Sequence, residues 1–397
     1  MVLTGLFNLF ALLYVFRGVQ LLVTLIREWQ AFTTPPFTPH QKSLAEQASF
    51  YIAVPIGVLL HELLHAIPIQ LMGGRVIEFA YRVFWGYVVP NRTFTPGQEW
   101  FISLAGTLGN LLFGLVLWLL LRKAKAASLR YFALRAFRFQ VFFSLVYYPL
   151  FTLVLPIGDW RTIYNFQATP WLSGLTAVFH IIILAGYYWA DRTGRFEMAA
   201  FPKPADEAAF SQLRQQAEAN PQDALLQIRY IDTLRRGGAV NQASRQLTQL
   251  IQQRPNLAEA HLQKALLQSS GKRQIPPSAA RSVEEALRLG LVDAANTAVC
   301  HQLLAQYHLD RNNLNQTLHH IKEALAIADQ QPQLSGIFKA QILYLQAQTQ
   351  RRLKQYAAAE TSIQDAINVA QTLGNNKLLQ LFQSELATIQ NHASRTG

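Results

Sequence analysis

The sequence contains a single cysteine, Cys300, and its first half contains very few acidic residues. One thiol excludes an internal disulfide framework. Residues 1–203 hold only eight Asp or Glu, whereas they hold most of the Phe, Trp and Tyr. Residues 204–397 are instead rich in Gln, Ala and Leu, with charges spread throughout. The composition therefore predicts two domains, of residues 1–203 and 204–397.

The N-terminus lacks the basic segment that precedes the apolar core of a cleaved signal peptide. Its apolar run is also too long for such a core, which favours a retained transmembrane helix. About 20 mostly apolar residues are needed to cross a bilayer. Five stretches meet this requirement, at 2–26, 48–72, 101–121, 139–158 and 171–190. We therefore expect an integral, multi-pass membrane protein embedded in a lipid bilayer.

Of the net charge of +12, residues 1–203 carry +8 and residues 204–397 carry +4. Six basic residues fall between 122 and 138, a placement that favours a membrane-flanking loop over a nucleic-acid groove, so no nucleic-acid ligand is expected. Loops on one side of the predicted membrane would carry eleven Lys or Arg, and loops on the other side four. Because positive loops tend to face the cytoplasm, this bias predicts a cytoplasmic C-terminal domain and an N-terminus outside.

Beyond the Pro-Lys-Pro of residues 202–204, the helical pattern changes from apolar on all sides to amphipathic. Four helix-pair units are predicted, near 224–255, 258–292, 298–329 and 340–371. Small or apolar residues recur at equivalent places, as Ala243 and Leu247, Ile321 and Ala324, and Ile363 and Ala366. The units resemble tetratricopeptide repeats, whose period is about 34 residues. The predicted fold class is thus all-α, a transmembrane helical bundle followed by a soluble helical-repeat solenoid. Its concave surface would bind a protein partner, or the domain is purely structural.

A metal-binding motif, His61-Glu62-Leu63-Leu64-His65, lies in the second apolar stretch. On a helix, His61 and His65 lie on one face and can bind one zinc ion, and Glu62 can act as a general base on water. The alternative is two histidines and a glutamate that hydrogen-bond to neighbouring helices. Because ionisable groups in an apolar segment are costly unless they are used, the metal interpretation is favoured.

Catalytic zinc usually has three protein ligands, so a third must come from elsewhere. Asp159 is the preferred candidate, because it ends the fourth apolar stretch, which would run parallel to the second. Pro156 and Gly158 would break the helix there and let the carboxylate turn inward. His180, halfway along the fifth stretch, is the rival candidate, although a lone membrane histidine is more often a helix–helix hydrogen-bond partner. Glu78 and Glu99 are expected to be solvated.

Residues 45–165 resemble the site-2 protease family of intramembrane zinc proteases. The resemblance rests on the histidine motif, on Gly73-Gly74-Arg75-Val76, and on Ala105-Gly106-Thr107-Leu108-Gly109-Asn110. It implies that His61, His65 and Asp159 bind Zn²⁺ and that Glu62 is the catalytic base. Asn110 would orient the substrate backbone, or serve as a polar helix-packing residue.

The sequence departs from the family pattern at two places. Leu64 stands where the family often has Gly, and Asp159 follows a Gly instead of preceding one. The charge bias also places the histidine motif on the face opposite the cytoplasm, whereas the family usually opens its active site toward the cytosol. These differences suggest a divergent branch.

The expected function is zinc-dependent cleavage of a membrane protein or peptide substrate, with the repeats recruiting a protein partner. A transmembrane substrate arrives as a helix, so cleavage requires a docking edge for extended backbone. Residues 75–89, rich in β-branched and aromatic side chains, would form a hairpin that supplies this edge, or an interfacial aromatic belt. Two alternatives remain at this point. One is a catalytically inactive, membrane-anchored scaffold whose repeats bind partners, and the other is a proton-coupled transporter.

Overall fold

The computed structural model describes residues 2–155, 157–334 and 336–394. Within this part of the chain, the regular secondary structure consists of helices and one two-stranded sheet. The predicted all-α fold class is therefore confirmed. The first nine helices are α1 (Val2–Arg27), α2 (Trp29–Thr33), α3 (Pro39–Tyr51), α4 (Ala53–Leu71), α5 (Pro96–Leu121), α6 (Ala127–Phe142), α7 (Tyr148–Val154), α8 (Asp159–Ile163) and α9 (Pro170–Arg192). A π-helical segment, Phe143–Tyr147, joins α6 to α7.

The remaining helices are α10 (Pro204–Ala219), α11 (Ala224–Arg236), α12 (Val240–Gln253), α13 (Ala258–Ser269), α14 (Pro277–Leu289), α15 (Ala294–Asp310), α16 (Leu314–Gln330), α17 (Ile337–Arg352), α18 (Tyr356–Thr372) and α19 (Asn376–Ser394). A short 3-10 turn, Pro332–Leu334, precedes α17. Each of the four predicted helix-pair units contains two of these helices. The six residues predicted to recur at equivalent places are all buried.

The chain forms two compact units. The first comprises Met1–Gln216 and Thr233–Gln242, and the second comprises Ala217–Asp232 and Ala243–Gly397. Thr233–Gln242 joins the first unit through polar contacts. The Glu197 carboxylate accepts a hydrogen bond from the backbone N–H of Asn241 at 2.9 Å, and Lys42 Nζ donates to the carbonyls of Met198 at 2.8 Å and Gly238 at 3.0 Å.

Five helical segments in the described part of the chain are long and apolar enough to cross a bilayer. They are Leu9–Arg27, Pro39–Leu71, Pro96–Leu121, Ala127–Val154 and Pro170–Arg192. Each matches one predicted stretch, although the second is longer because α3 and α4 follow each other almost without interruption. The surface of α9 carries large exposed apolar side chains, as expected of a helix in contact with lipid. Phe179 and Ile182, for example, expose more than half of their area. The sidedness of these segments stays a prediction.

Glycines let α5 pack closely against α4. A Cβ added to Gly109 would lie 2.5 Å from Cδ1 of Leu64, so Leu64 occupies the space that this glycine leaves. Leu64 and Gly109 are therefore complementary in size across the contact between α4 and α5. A Cβ added to Gly57 of α4 would similarly overlap Gln140 of α6, whose side-chain amide donates to the Ala53 carbonyl at 3.0 Å. Small residues thus bring three apolar helices together around the middle of α4.

The sheet is an antiparallel hairpin of β1 (Val76–Tyr81) and β2 (Gly86–Pro90), so the hairpin predicted for residues 75–89 is present. Its register slips between Val76 and Glu78, the mark of a β-bulge. The Tyr81 hydroxyl donates to the Pro55 carbonyl at 3.0 Å and ties the hairpin to α4. The hairpin therefore lies along the helix that carries the histidine motif.

Candidate metal centre

Three side chains predicted as metal ligands converge in the first unit. His61 and His65 lie one turn apart on α4, and Asp159 is the first residue of α8. Asp159 Oδ2 lies 2.9 Å from His61 Nε2 and 3.3 Å from His65 Nε2. Among the described residues, these form the one group of three or more His, Cys, Asp or Glu whose ligand atoms all lie within 4.8 Å of one another.

The orientation of His65 is fixed by the backbone of α5. His65 Nδ1 lies 2.7 Å from the Ile102 carbonyl oxygen and donates its hydrogen to it. This contact leaves Nε2 as the nitrogen that faces Asp159. A histidine ligand typically donates its second ring N–H in this way, because the bond fixes both tautomer and ring orientation.

His61 has a different neighbour on α5. Its Nδ1 lies 3.3 Å from Nδ2 of Asn110, and Asn110 Oδ1 is buried without a hydrogen-bond partner. A half-turn of the amide would exchange the two atoms, so that Oδ1 accepts the Nδ1 hydrogen of His61. His61 Nε2 would then keep its lone pair for a metal ion. Asn110 was predicted either to orient substrate or to pack helices. Its side chain lies beside Nδ1 of His61, the ring nitrogen that faces away from Asp159.

Asp159 is positioned outside the long apolar helices. The α7 helix ends at Val154, and Gly158 adopts a φ of +108°, a conformation that favours glycine. Pro156, also expected to break the helix, lies outside the described residues. The side chain of Trp160 is buried and its Nε1 donates to the Ser144 carbonyl at 3.1 Å, which fixes α8. Ser144 belongs to the π-helical segment, a feature often found at functional sites.

Tyr148 holds the Asp159 carboxylate in place. Its hydroxyl accepts a hydrogen bond from the Asp159 backbone N–H at 3.1 Å and donates to Asp159 Oδ2 at 3.2 Å. Burial alone would raise the pKa of the Asp159 carboxyl, but attraction to His65 and His61 outweighs it and holds this pKa well below its usual range. Asp159 is therefore ionised at neutral pH when no metal is bound, and a carboxylate must also be ionised to act as a metal ligand.

Gly106 provides the space in which the two imidazoles meet. A Cβ added there would lie 2.5 Å from Cε1 of His65 and 2.8 Å from Nε2 of His61. Any side chain at this position would overlap the rings.

Glu62 is buried beneath the hairpin and stands apart from the three-ligand group. A Cβ added to Gly86, the first residue of β2, would lie 2.5 Å from Cγ of Glu62. The strand backbone therefore passes directly over this carboxylate. Glu62 follows His61 on α4, so it is placed beside the metal centre and beside extended backbone.

The rival candidates lie elsewhere. His180 Nε2 lies 2.6 Å from the Leu145 carbonyl and its Nδ1 lies 2.5 Å from the Tyr164 hydroxyl, so it links α9 to neighbouring segments. Glu78 and Glu99 are exposed, as expected. Sequence reasoning missed Gly106, Tyr148 and Gly86. The first lies within the quoted Ala-Gly segment, but nothing in the local sequence marks the other two as neighbours of the site.

The donor set and its spacing fit a transition-metal ion. Two imidazole nitrogens and a carboxylate oxygen are common zinc ligands, at about 2.0–2.2 Å from the ion. Tetrahedral ligands at that radius lie about 3.3 Å from one another. The observed separations of 2.9 and 3.3 Å are close to this value. The buried cluster of His61, His65 and Asp159 can therefore hold a metal ion.

Comparison of the chain with protein-family models, with curated proteins and with solved structures finds no match.

Proposed function

We propose that the chain is a zinc-dependent endopeptidase that cleaves membrane proteins or membrane-proximal peptides. The observation that carries the proposal is the buried convergence of His61 Nε2, His65 Nε2 and Asp159 Oδ2. The proposal agrees with the resemblance of residues 45–165 to site-2 proteases. Zn²⁺ is the proposed ion because this mixed imidazole and carboxylate set leaves the fourth tetrahedral position open, as catalytic zinc sites do.

The residues around the centre have distinct proposed roles. Bound zinc supplies Lewis acidity, which makes water nucleophilic near neutral pH. Glu62 takes the proton released by the attacking water and transfers it to the departing amine. Tyr148 keeps the Asp159 carboxylate oriented, and Asn110 and the Ile102 carbonyl hold His61 and His65.

The hairpin is the proposed docking element for substrate. An extended peptide can add to a free strand edge through backbone hydrogen bonds, which satisfies amides that lose their helical partners in an apolar environment. Because Gly86 lies against Glu62, a peptide paired along this hairpin would run beside the proposed base. The absence of a side chain at Gly86 lets the strand backbone lie close to Glu62.

The second unit is proposed to be a tetratricopeptide-like solenoid in the cytoplasm that recruits a protein partner. Two observations support this proposal. Helices α11 to α18 coincide with the predicted helix-pair units, and Ile321 and Ala324 of α16 are buried like Ile363 and Ala366 at the equivalent places of α18. Successive helix pairs of this kind bury their apolar faces on each other and leave a surface for a partner.

The decisive experiment compares Glu62→Gln with Glu99→Gln in the full-length, detergent-solubilised protein. Glu99 is exposed at the start of α5, so it serves as the matched carboxylate control. Both variants should retain zinc, measured by plasma mass spectrometry. The Glu62 variant should lose cleavage of a membrane-derived peptide library by at least about a hundredfold, since general bases contribute about 10²–10⁴-fold.

Two results would contradict the proposal. The first is full cleavage by Glu62→Gln, which would remove Glu62 from the mechanism. The second is the absence of stoichiometric zinc, together with partner binding that survives Glu62→Gln. That second result would favour a membrane-anchored scaffold.

A further inference from the structure

Four of the ten histidines of the chain lie on one helix pair of the second unit, far in sequence from the first metal centre. His301 and His308 belong to α15, and His319 and His320 to α16. The His320 ring lies between the two of α15, with ring centroids 5.3 Å from His301 and 5.5 Å from His308. The proposed proteolysis does not use this cluster.

Two nitrogens of the cluster already have the spacing of metal ligands. The Nδ1 atoms of His301 and His320 lie 3.1 Å apart. Two nitrogen ligands of a tetrahedral zinc ion lie about 3.3 Å apart, given zinc–nitrogen distances of about 2.0–2.1 Å. Both rings are partly buried, so they are held in place and still reachable from solvent.

The packing of the two helices fixes this spacing. Leu304 and Ala305, one turn after His301, are buried, and so are Ile321 and Ala324 beside His320. Ala305, Ile321 and Ala324 belong to one apolar cluster, and Leu304 belongs to the cluster beside it. A ligand pair carried by a packed core loses little conformational freedom when it binds an ion.

A carboxylate is available as the third ligand. Glu323 lies three residues after His320, so it occupies the next turn on the same side of α16. Burial lowers the pKa of His301, and the negative charge of Glu323 opposes that shift. The Glu323 side chain must change rotamer to reach both nitrogens, because within the described residues only the first centre has three ligand atoms mutually within 4.8 Å. His308 stacks on His320 with an interplanar angle of 10° and supports that ring.

We propose that His301, His320 and Glu323 form a second metal site, which binds a divalent transition-metal ion such as Zn²⁺. Imidazole ligands suit zinc, copper and nickel, and solvent completes the coordination. The site lies in the second unit and does not depend on the proposed proteolytic function.

The test counts metal ions bound to the full-length protein. Wild type, His301→Asn, His320→Asn and the control His261→Asn are dialysed against buffered Zn²⁺ and measured by plasma mass spectrometry. His261 lies on α13, in a different helix pair, where Nε2 contacts the Pro255 carbonyl at 2.7 Å. The His301 and His320 variants should each bind one zinc fewer than wild type, and the control should bind as many. Equal zinc in all four proteins would overturn the proposal.

A second measurement covers the case in which a histidine variant folds poorly. Glu323→Gln keeps the shape of a partly exposed side chain, so it leaves the helix pair intact. Its affinity for Co²⁺, followed by the visible absorption of the bound ion, should fall at least tenfold at one site. An unchanged titration would remove Glu323 from the site. The experiment compares wild type with the variant at the second site. Its result can therefore be interpreted even if the first centre binds no metal.

Discussion

His61 Nε2 and Asp159 Oδ2 lie 2.9 Å apart across 98 positions of sequence. The contact joins the middle of α4 to the short helix α8, which follows the fourth apolar segment. It adds a third potential metal ligand to the two histidines of one helix. Four predictions follow from the way these ligands and the helix pairs are packed.

Gly106→Ala should disrupt metal binding without removing a ligand. The added Cβ would lie 2.8 Å from His61 Nε2, so the imidazoles must move apart. Overpacking of this kind costs about 1–3 kcal/mol, and every 1.4 kcal/mol is a factor of about ten in affinity. Chelator competition should therefore show zinc affinity weaker by about 5–150-fold. Gly174→Ala on α9 is the control, since nothing lies within 4 Å of the added Cβ. Equal affinities in the two variants would show that the centre tolerates crowding.

Tyr148→Phe should weaken metal binding by releasing the Asp159 carboxylate. The change removes one hydroxyl, which both accepts from the Asp159 N–H and donates to its Oδ2. Loss of such a supporting hydrogen bond typically costs about 10–100-fold in metal affinity. Tyr147→Phe is the matched control, because Tyr147 is half exposed and its ring packs on Phe143 and Phe151. A Tyr148 variant that binds zinc as tightly as the Tyr147 variant would contradict this role.

Gly86→Val should reduce cleavage without reducing metal binding. The new side chain would overlap Glu62 and push β2 away from α4, whereas the three ligands stay in place. Zinc content should therefore remain stoichiometric, while cleavage of the peptide library falls at least about tenfold, on the proposed role of Glu62 as general base. Gly97→Ala is a suitable control, since its nearest neighbour would be Leu172 Cδ1 at an ordinary 3.8 Å. Unimpaired cleavage by Gly86→Val would exclude the hairpin as the docking element.

Cys300 should be unreactive in the folded protein. Its side chain is fully buried, and burial raises the pKa of the thiol to about 12. The thiolate is the nucleophile, so the native chain should react slowly with a disulfide reagent from pH 7 to pH 9. After unfolding in guanidinium, the thiol should react quickly and faster at higher pH. Rapid labelling of the native protein would show that the helix pair around Cys300 opens readily.

The three candidate ligands of the centre could be predicted from the sequence, whereas the residues that hold those ligands in place could not. The spacing of His61 and His65 requires only an α-helix, and the depth of Asp159 follows from the alternation of apolar stretches. Tyr148 could not be recognised, because its relation to Asp159 depends on the turn at Gly158.

The same distinction applies to the fold. Amphipathic periodicity predicted the helix pairs of the second unit closely, because each pair buries a local pattern. Thr233–Gln242 belongs to the first unit instead, through contacts with Glu197 and Lys42. Those contacts join segments far apart in sequence, so they cannot be predicted from a local sequence pattern. Likewise, residue content predicted the hairpin but not its bulge between Val76 and Glu78.

The separation of Asp159 from the histidine motif has a consequence for biosynthesis. The histidines are translated with the second apolar segment, and the aspartate is translated only after two further segments have followed. A nascent chain that ends before residue 159 carries an intact histidine helix and still lacks the complete metal centre. The proposed hydrolytic chemistry is therefore withheld until the helical bundle has assembled, and metal loading would report that assembly has finished.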